Sequence, residues 1–236
     1  MATSVFLLDA FPASTFGGNI AGVVLLEAPA ADGWMQAVAV ELGAPTTGFV
    51  DLPSARRGSA RVRFFTPQQE IDACGHVTVA IATVLVEQGI WSRGAAEVHA
   101  AGGHYPLMLS HDNAGVAVEM QQQLQHLRHV RDIADVRGLA RLLGRAKRSP
   151  THPMVVAGTG LRHLLVPVGS VADLGALPID AEVIAAVSQQ LNVDTIGVYT
   201  LTETAGEHIN VRMRDLCAGM ARPKKQPAAR RLPPSH

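Results

Sequence analysis

The sequence predicts an α/β (α+β) protein made of two similar β-rich units, and three observations support this fold class. Short apolar runs bounded by Gly, Pro, Asn and Ser recur along the chain, as expected of strands. Residues 75–87 are rich in Ala and Val with little polar surface, which indicates a buried helix. A polar, Arg-rich segment at 121–149 interrupts this pattern before strand-like runs resume.

The chain opens with two predicted strands and an amphipathic helix. The apolar run at 4–11 predicts a strand, and the Gly, Pro and Ser residues of 12–19 predict a shaped loop. A second strand is expected at 20–26. The segment 31–42 then carries three large apolar side chains at helical spacing, i, i+4 and i+8. Those side chains are Trp34, Val38 and Leu42.

Four strand-like regions and the apolar helix complete the first unit. The helix at 75–87 is expected to end near Gly89. Turns are indicated at Gly102-Gly103 and at Asp112-Asn113. The strand-like regions are 46–52, 60–65, 95–109 and 115–120. The first unit is therefore expected to close near residue 120.

The domain boundary is expected in the segment 121–149, interpreted as a linker with a short helix. Strand-like runs resume after it around a predicted helix at 180–191. These strand-like runs are 151–168, 194–201 and 208–214. The second unit begins with the same kind of strand-like runs as the first, but it is expected to be incomplete. The predicted domains are 1–120, 121–220 (incomplete) and 221–236.

The last segment, 221–236, contains five Lys or Arg, four Pro and no acidic residue. Proline breaks both helices and strand ladders, and nothing offsets the charge, so this tail is expected to be disordered. Two alternatives stay open. The tail could bind an anionic partner, or it could be an out-of-frame translation of GC-rich coding sequence.

Composition favours a cytoplasmic protein that acts on a small ligand. Twenty basic residues balance twenty acidic ones, so no bulk charge favours nucleic acid or a membrane surface. The chain lacks a signal-peptide pattern and a long apolar span. Cys74 and Cys217 are interpreted as free thiols. Neither a metal nor a cofactor is expected, because the ten His lack ligand spacing and no dinucleotide-binding glycine motif is present.

The strongest local signal for chemistry is the run 72–78, DACGHVT, where a turn leads into the buried helix. Unpaired N–H groups at a helix start favour an anion such as a carboxylate, and they also favour the thiolate form of a cysteine. Cys74 and His76 are therefore candidate acid/base groups beside Gly75. The alternative is structural, with Cys74 a small buried apolar residue and His76 a capping residue.

Four segments resemble the phenazine-biosynthesis (PhzF-like) isomerase family, which shares the diaminopimelate epimerase fold. FGGNIAGVVL resembles the family's FGGNPLAVVL opening, and ARVRFFTPQQEIDACGHVTVAIATVL resembles its strand, turn and buried helix. TGLRHLLVPV and HINVRMR resemble strands of the family's second lobe. The resemblance runs in order from about residue 4 to residue 220.

The resemblance implies two similar lobes, each a barrel-like sheet around a central helix. It also implies a cofactor-independent isomerase or epimerase of a small carboxylic acid, usually a homodimer, that acts by proton transfer. Asn19 matches a residue that lines the family's site, and Gly75 and His76 match the helix-start pair that faces substrate. Cys74 stands where related epimerases and proline racemases carry an acid/base thiol.

Two positions depart from the family pattern. The family's proton-shuttle Glu aligns with Thr46, whose hydroxyl cannot act as a carboxylate base, so Cys74 or His76 would have to take that role. The second-lobe motif of the form EDPATGSA is absent after Met220, so the chain is expected to be truncated at its C-terminus. Arg162 is a further candidate to bind a substrate carboxylate. An alternative function follows, that of an inactive family member that binds a partner, or of a truncated product.

Overall fold

A computed structural model describes residues 3–12, 17–112, 115–121, 126–132, 134, 136–158, 161–205 and 208–216. The chain divides between residues 124 and 125 into two compact units, each with its own sheet. Cys217 and the basic tail at 221–236 lie outside the described residues. Among the described helices, none combines the length and hydropathy needed to cross a membrane.

The first unit is built on an eight-stranded sheet in the order β1-β2-β3-β4-β6-β7-β8, with the short β5 paired to β4. The β2–β3 and β4–β6 pairs are parallel, and the other pairs are antiparallel. The strands are β1 Ser4–Ala10, β2 Asn19–Leu26, β3 Thr46–Asp51, β4 Ser59–Phe65, β5 Glu70–Ile71, β6 Gly94–Ala100, β7 Gly103–Asp112 and β8 Gly115–Met120.

One helix fills the concave face of this sheet. The helix, α3 (Gly75–Glu87), contacts β1, β2, β3 and β8, so it touches both edge strands. The sheet therefore curls around α3, as the apolar sequence of this helix predicts. Its buried side chains are Val77, Thr78, Ala80, Ile81, Ala82, Val84 and Leu85.

A second helix, α1 (Asp32–Leu42), covers the outer face of the same sheet. Its buried residues are Met35 and Ala39, which pack with Phe49 from β3 and Phe65 from β4. Trp34 is 43% exposed and only touches the ring of Phe49 at its edge. Val38 and Leu42 pack against this cluster as predicted, but the prediction for Trp34 was wrong, because Met35 takes the buried position in the first turns of α1.

A single turn of helix, α2 (Leu52–Ala55), joins β3 to β4. Asp51 caps it by accepting a hydrogen bond from the Ser54 N–H. Trp91, beyond the end of α3, donates from its indole N–H to the carbonyl of Ala55 at 2.9 Å. The bond ties the loop after α3 to the loop after β3, so these two loops lie at the same end of the sheet.

The second unit contains a five-stranded sheet in the order β13-β12-β11-β10-β9. Only the β11–β12 pair is parallel among the pairs described. The strands are β9 His126–Val130, β10 Met154–Gly158, β11 Arg162–Pro167, β12 Thr195–Ala205 and β13 His208–Leu216. The expectation of a linker with a helix alone at 121–149 was wrong, since β9 forms an edge strand there.

Three helices cover one face of the second sheet and bury its core. They are α4 (Leu139–Leu143), α5 (Val171–Gly175) and α6 (Ala181–Leu191). The amphipathic α6 turns its apolar side to the strands, with Val183, Ile184 and Val187 buried. These side chains pack with Leu164 from β11 and Ile196 from β12.

Both units share one strand and helix order. In the first, β1 and β2 are antiparallel, α1 crosses over to β3 in parallel, and β4 returns antiparallel. In the second, β10, β11, α6, β12 and β13 repeat this plan. The two β-rich units predicted from the sequence thus use the same supersecondary arrangement.

Candidate functional site

The candidate site lies at the start of α3. Cys74 is the N-cap residue with extended backbone angles, and Gly75 and His76 form the first helical positions. The Cys74 Sγ lies 3.3 Å from the His76 Nδ1, and both residues are half-buried. The thiol and the imidazole predicted from the motif are therefore in direct contact.

Hydrogen bonds around the helix start fix the position of Cys74. Its carbonyl accepts from the Thr78 N–H at 3.0 Å and from the Thr78 hydroxyl at 2.9 Å. The segment before it leaves β4 through a turn in which the Thr66 hydroxyl accepts from the Gln69 N–H. The backbone N–H groups of the first helical turn have no intrahelical partner and point beyond the helix start. A small anion would meet these groups beside the thiol.

The β6–β7 turn supports the segment that leads to Cys74. The Gly102 N–H donates to the carbonyl of Asp72 at 2.8 Å. A Cβ at position 102 would lie 2.8 Å from the Tyr105 hydroxyl and 2.9 Å from that carbonyl. Only glycine therefore fits at position 102 without displacing its neighbours, and the turn packs tightly against the approach to the site.

Tyr105 is a site neighbour that the sequence analysis missed. Its hydroxyl oxygen is buried and has no hydrogen-bond partner among the residues that the structure describes. Burial raises the pKa of Tyr105, and the nearby Asp72 carboxylate raises it further. The hydroxyl therefore stays protonated at neutral pH and can donate a hydrogen bond next to the Asp72–Ala73 approach to Cys74. The sequence signal that could have placed Tyr105 inside is the alternation of Tyr105, Leu107 and Leu109 in β7, after the Gly102-Gly103 turn.

Asn19 and Thr46 lie at the same end of the first unit as Cys74. Thr46 begins β3 and is 5% exposed, and it pairs in register with Ala21, two residues after Asn19. Two positions along β3, a Cβ on Gly48 would meet Val77 and Ile81 of α3. Thr46 thus faces the helix side of the sheet, because alternate strand residues share a face.

The direction of β3 places Thr46 near the start of α3. After Gly48 the strand continues to Asp51 and α2, whose Ala55 carbonyl binds Trp91 beyond the C-terminal end of α3. The other end of β3, at Thr46, therefore lies toward the helix N-terminus. The structure brings the predicted site residues Cys74, Gly75 and His76 together at the start of α3. The exposed Asn19 and the buried Thr46, also predicted as site residues, lie at this end of the first unit.

Arg162 lies in the second unit, at the beginning of β11. Its backbone N–H donates to the Asp194 carboxylate at 2.7 Å, and its Nε lies 3.8 Å from the same oxygen. The neighbouring His163 Nδ1 contacts the Thr195 hydroxyl at 2.6 Å. The interpretation of Arg162 as a carboxylate ligand stays a prediction, since Asp194 already engages this residue.

Comparison with known proteins gives one consistent family. The family model "Phenazine biosynthesis-like protein" (PhzC-PhzF) matches residues 8–218. An "Uncharacterized isomerase" of Deinococcus radiodurans is 38% identical over 185 residues, which cover 77% of this chain and 59% of that protein. The "Uncharacterized isomerase YddE" of Salmonella typhimurium is 31% identical over 81% of this chain and 64% of its own length. The chain thus spans about 60% of the length of these curated relatives.

Solved structures give the same fold. The Bacillus anthracis phenazine biosynthesis protein of the PhzF family superposes with a TM-score of 0.75 and 27% identity, over 94% of this chain and 74% of that chain. The predicted fold class is thereby confirmed.

Proposed function

The chain belongs to the phenazine biosynthesis-like (PhzC-PhzF) family, and from this premise we propose that it is a cofactor-independent isomerase or epimerase of a small carboxylic acid. The observation that carries the proposal is the 3.3 Å contact between the Cys74 Sγ and the His76 Nδ1 at the start of α3. A thiol and an imidazole at this distance can exchange a proton and can act in turn as base and acid.

The substrate carboxylate would bind the backbone N–H groups of the first turn of α3, beside Cys74. The Cys74 thiolate then removes the proton from the carbon next to the carboxylate, and the electron pair delocalises into the carboxylate. A proton returns from His76 to the opposite face of the same carbon, which inverts its configuration, or from His76 or the Cys74 thiol to a conjugated carbon, which moves the double bond. The formula is unchanged, so this chemistry is an epimerisation or an isomerisation.

The surrounding residues would position the acid. The Thr46 hydroxyl and the exposed Asn19 amide are proposed to bind polar groups of the substrate, and Tyr105 would donate a hydrogen bond to developing negative charge. Thr46 lacks the proton-shuttle capacity of the Glu that the family resemblance implies at this position. The proton transfer therefore rests on Cys74 and His76.

The test is exchange of a carbon-bound substrate proton with solvent deuterium, followed by proton NMR. Thermal unfolding in the presence of amino, hydroxy and aromatic carboxylic acids first identifies an acid that raises the midpoint. Cys74→Ser is expected to lower the exchange rate of that acid at least about 100-fold, since acid/base groups contribute roughly 10²–10⁴. Cys217→Ser, which removes the chain's other thiol, is the matched control and should leave exchange unchanged.

Thr46 favours a second candidate, an inactive family member that binds a small acid or a partner. A buried hydroxyl at this position can hydrogen-bond, but it can neither release its proton nor accept another one near neutral pH. Under this alternative an acid raises the unfolding midpoint without any exchange by the unmodified protein. Exchange that survives Cys74→Ser unchanged would instead remove Cys74 from the mechanism.

A further inference from the structure

We propose that Glu97, His99 and His104 form a binding site for a divalent transition-metal ion such as Zn²⁺ on the outer face of the first unit. Potential ligand atoms of the three side chains all lie within 4.8 Å of one another. The Glu97 carboxylate lies 2.8 Å from the His99 Nε2 and 3.5 Å from the His104 Nδ1. Two imidazoles and a carboxylate are ligands that Zn²⁺ prefers.

The β6–β7 hairpin holds these ligands in one place. Glu97 and His99 are two residues apart on β6, so both side chains emerge on the same face of the sheet. His104 is the first residue after Gly103 in β7 and pairs in register with His99. The intervening Val98 is fully buried on the α3 side, so the three ligands face away from α3.

His99 and Glu97 already form one half of the site. The His99 Nε2 lies 2.8 Å from a Glu97 oxygen, and this contact lowers the pKa of Glu97, so its carboxylate is held in the charged form that binds a cation. The two imidazole rings lie with their centroids 4.0 Å apart in a tilted arrangement. A cation between the three side chains would bind one nitrogen of each ring and one oxygen of the carboxylate, whose atoms already lie within 4.8 Å of one another.

The distances suit a zinc ion after small side-chain movements. Zinc binds nitrogen at about 2.0–2.1 Å and carboxylate oxygen at about 2.0–2.2 Å, so neighbouring tetrahedral ligands lie roughly 3.4 Å apart. The contacts at 2.8 Å and 3.5 Å bracket this value. Exposure rises from 29% at His99 through 40% at Glu97 to 68% at His104, which leaves the remaining coordination positions open to solvent.

The nearby positive charge is already neutralised. Arg61 pairs with His99 across the parallel β4–β6 ladder and would oppose a bound cation. Its guanidinium instead binds the Asp51 carboxylate through both Nε and Nη2. On the other side of the hairpin, the residue opposite Glu97 is the uncharged Pro106. The ligands therefore face no unpaired cation from the strands beside them.

The sequence analysis expected no metal, because it looked for ligand spacing along a helix or in paired cysteines. The signal here is different. It consists of Glu-x-His on one strand followed, after a Gly-Gly turn, by His at the next strand's start. Alternation and hairpin register bring these three together, and register cannot be read from spacing alone.

The experiment is a calorimetric titration of the tag-free full chain with ZnCl₂, with histidine side-chain NMR to locate the ion. His99→Ala, His104→Ala and Glu97→Gln should each weaken binding at least about tenfold, because even residues that only support metal ligands cost 10–100-fold. Zn²⁺ should shift the His99 and His104 ring signals before those of other histidines.

Two control variants separate this site from others. His111→Ala removes an exposed histidine from the same strand, and Cys74→Ser removes the thiol beside His76. Both should keep the affinity of the unmodified protein. Tight binding that persists in His99→Ala and His104→Ala, or that is lost in Cys74→Ser, would overturn the proposal, as would no detectable binding at millimolar Zn²⁺.

Discussion

Gly48 shows how a single missing side chain lets α3 approach the sheet. A Cβ at this position would lie 2.7 Å from the Ile81 Cδ1 and 2.8 Å from the Val77 Cγ1, and both of those side chains are fully buried. The helix that carries Cys74 at its start would have to move to accommodate it. Position 48 therefore controls the depth at which α3 sits in the curled sheet.

We predict that Gly48→Ala lowers the free energy of unfolding by about 1–3 kcal/mol, the usual cost of overpacking a core. Urea unfolding followed by tryptophan fluorescence measures this change. Gly33→Ala is the matched control, since nothing lies within 4 Å of a Cβ there and alanine favours the α1 helix. A stability of Gly48→Ala equal to that of Gly33→Ala would contradict the packing described.

From the sequence, we could predict the contacts of the candidate site that join residues close together in the chain. Cys74 and His76 are two residues apart, so their contact follows from the helix start alone. Tyr105 reaches the site through the turn at Gly102, and that juxtaposition depends on which strand lies beside which segment. Sequence periodicity carries no information of that kind.

The helix α6 depends on one side chain at its start. The Asp180 Oδ1 accepts hydrogen bonds from the N–H groups of Glu182 and Val183, both at 3.2 Å. The other oxygen accepts from Arg141 at 2.7 Å. Asp180 therefore both caps α6 and links it to α4.

We predict that Asp180→Ala destabilises the second unit by about 1 kcal/mol, the typical value of an N-cap. Arg141→Gln removes only the exposed ion pair, so it should change stability by less than about 0.5 kcal/mol. Hydrogen exchange of the α6 amides measures both effects. Equal losses in the two variants would show that the ion pair, and not the cap, holds the helix.

The elements predicted best are those with a strong burial pattern. The observed limits of α3 agree with the predicted ones because most of its side chains are apolar on all sides. The helix α6 was predicted because the side chains on one of its faces are apolar. The strand β9 was missed because, among its residues whose burial is described, 127–129 are exposed and Val130 is buried, so no alternation marks it. An edge strand is defined by its hydrogen bonds to β10 more than by its side chains.

At the scale of the whole molecule, the two units keep separate cores. Among the residues that the structure describes, the core around α3 is formed by residues of the first unit, and the core around α4, α5 and α6 is formed by residues of the second. Both tryptophans, Trp34 and Trp91, belong to the first unit. Intrinsic tryptophan fluorescence therefore reports the unfolding of the first unit, whereas circular dichroism reports both.

The curling of the first sheet around α3 has a kinetic consequence. Strands β1 and β8 come from opposite ends of the unit's sequence, and α3 contacts both of them. Bringing such distant segments together costs chain entropy that is recovered only when their contacts form, so we expect α3 to be in place in the transition state for folding.

We predict that Ile81→Val, which removes one methylene from the buried face of α3, slows refolding more than it speeds unfolding. The expected loss of about 0.5–1.5 kcal/mol should give a φ-value above roughly 0.5. Stopped-flow tryptophan fluorescence measures both rates in the first unit. A φ-value near zero would mean that the sheet forms first and the helix that carries the candidate site enters it last.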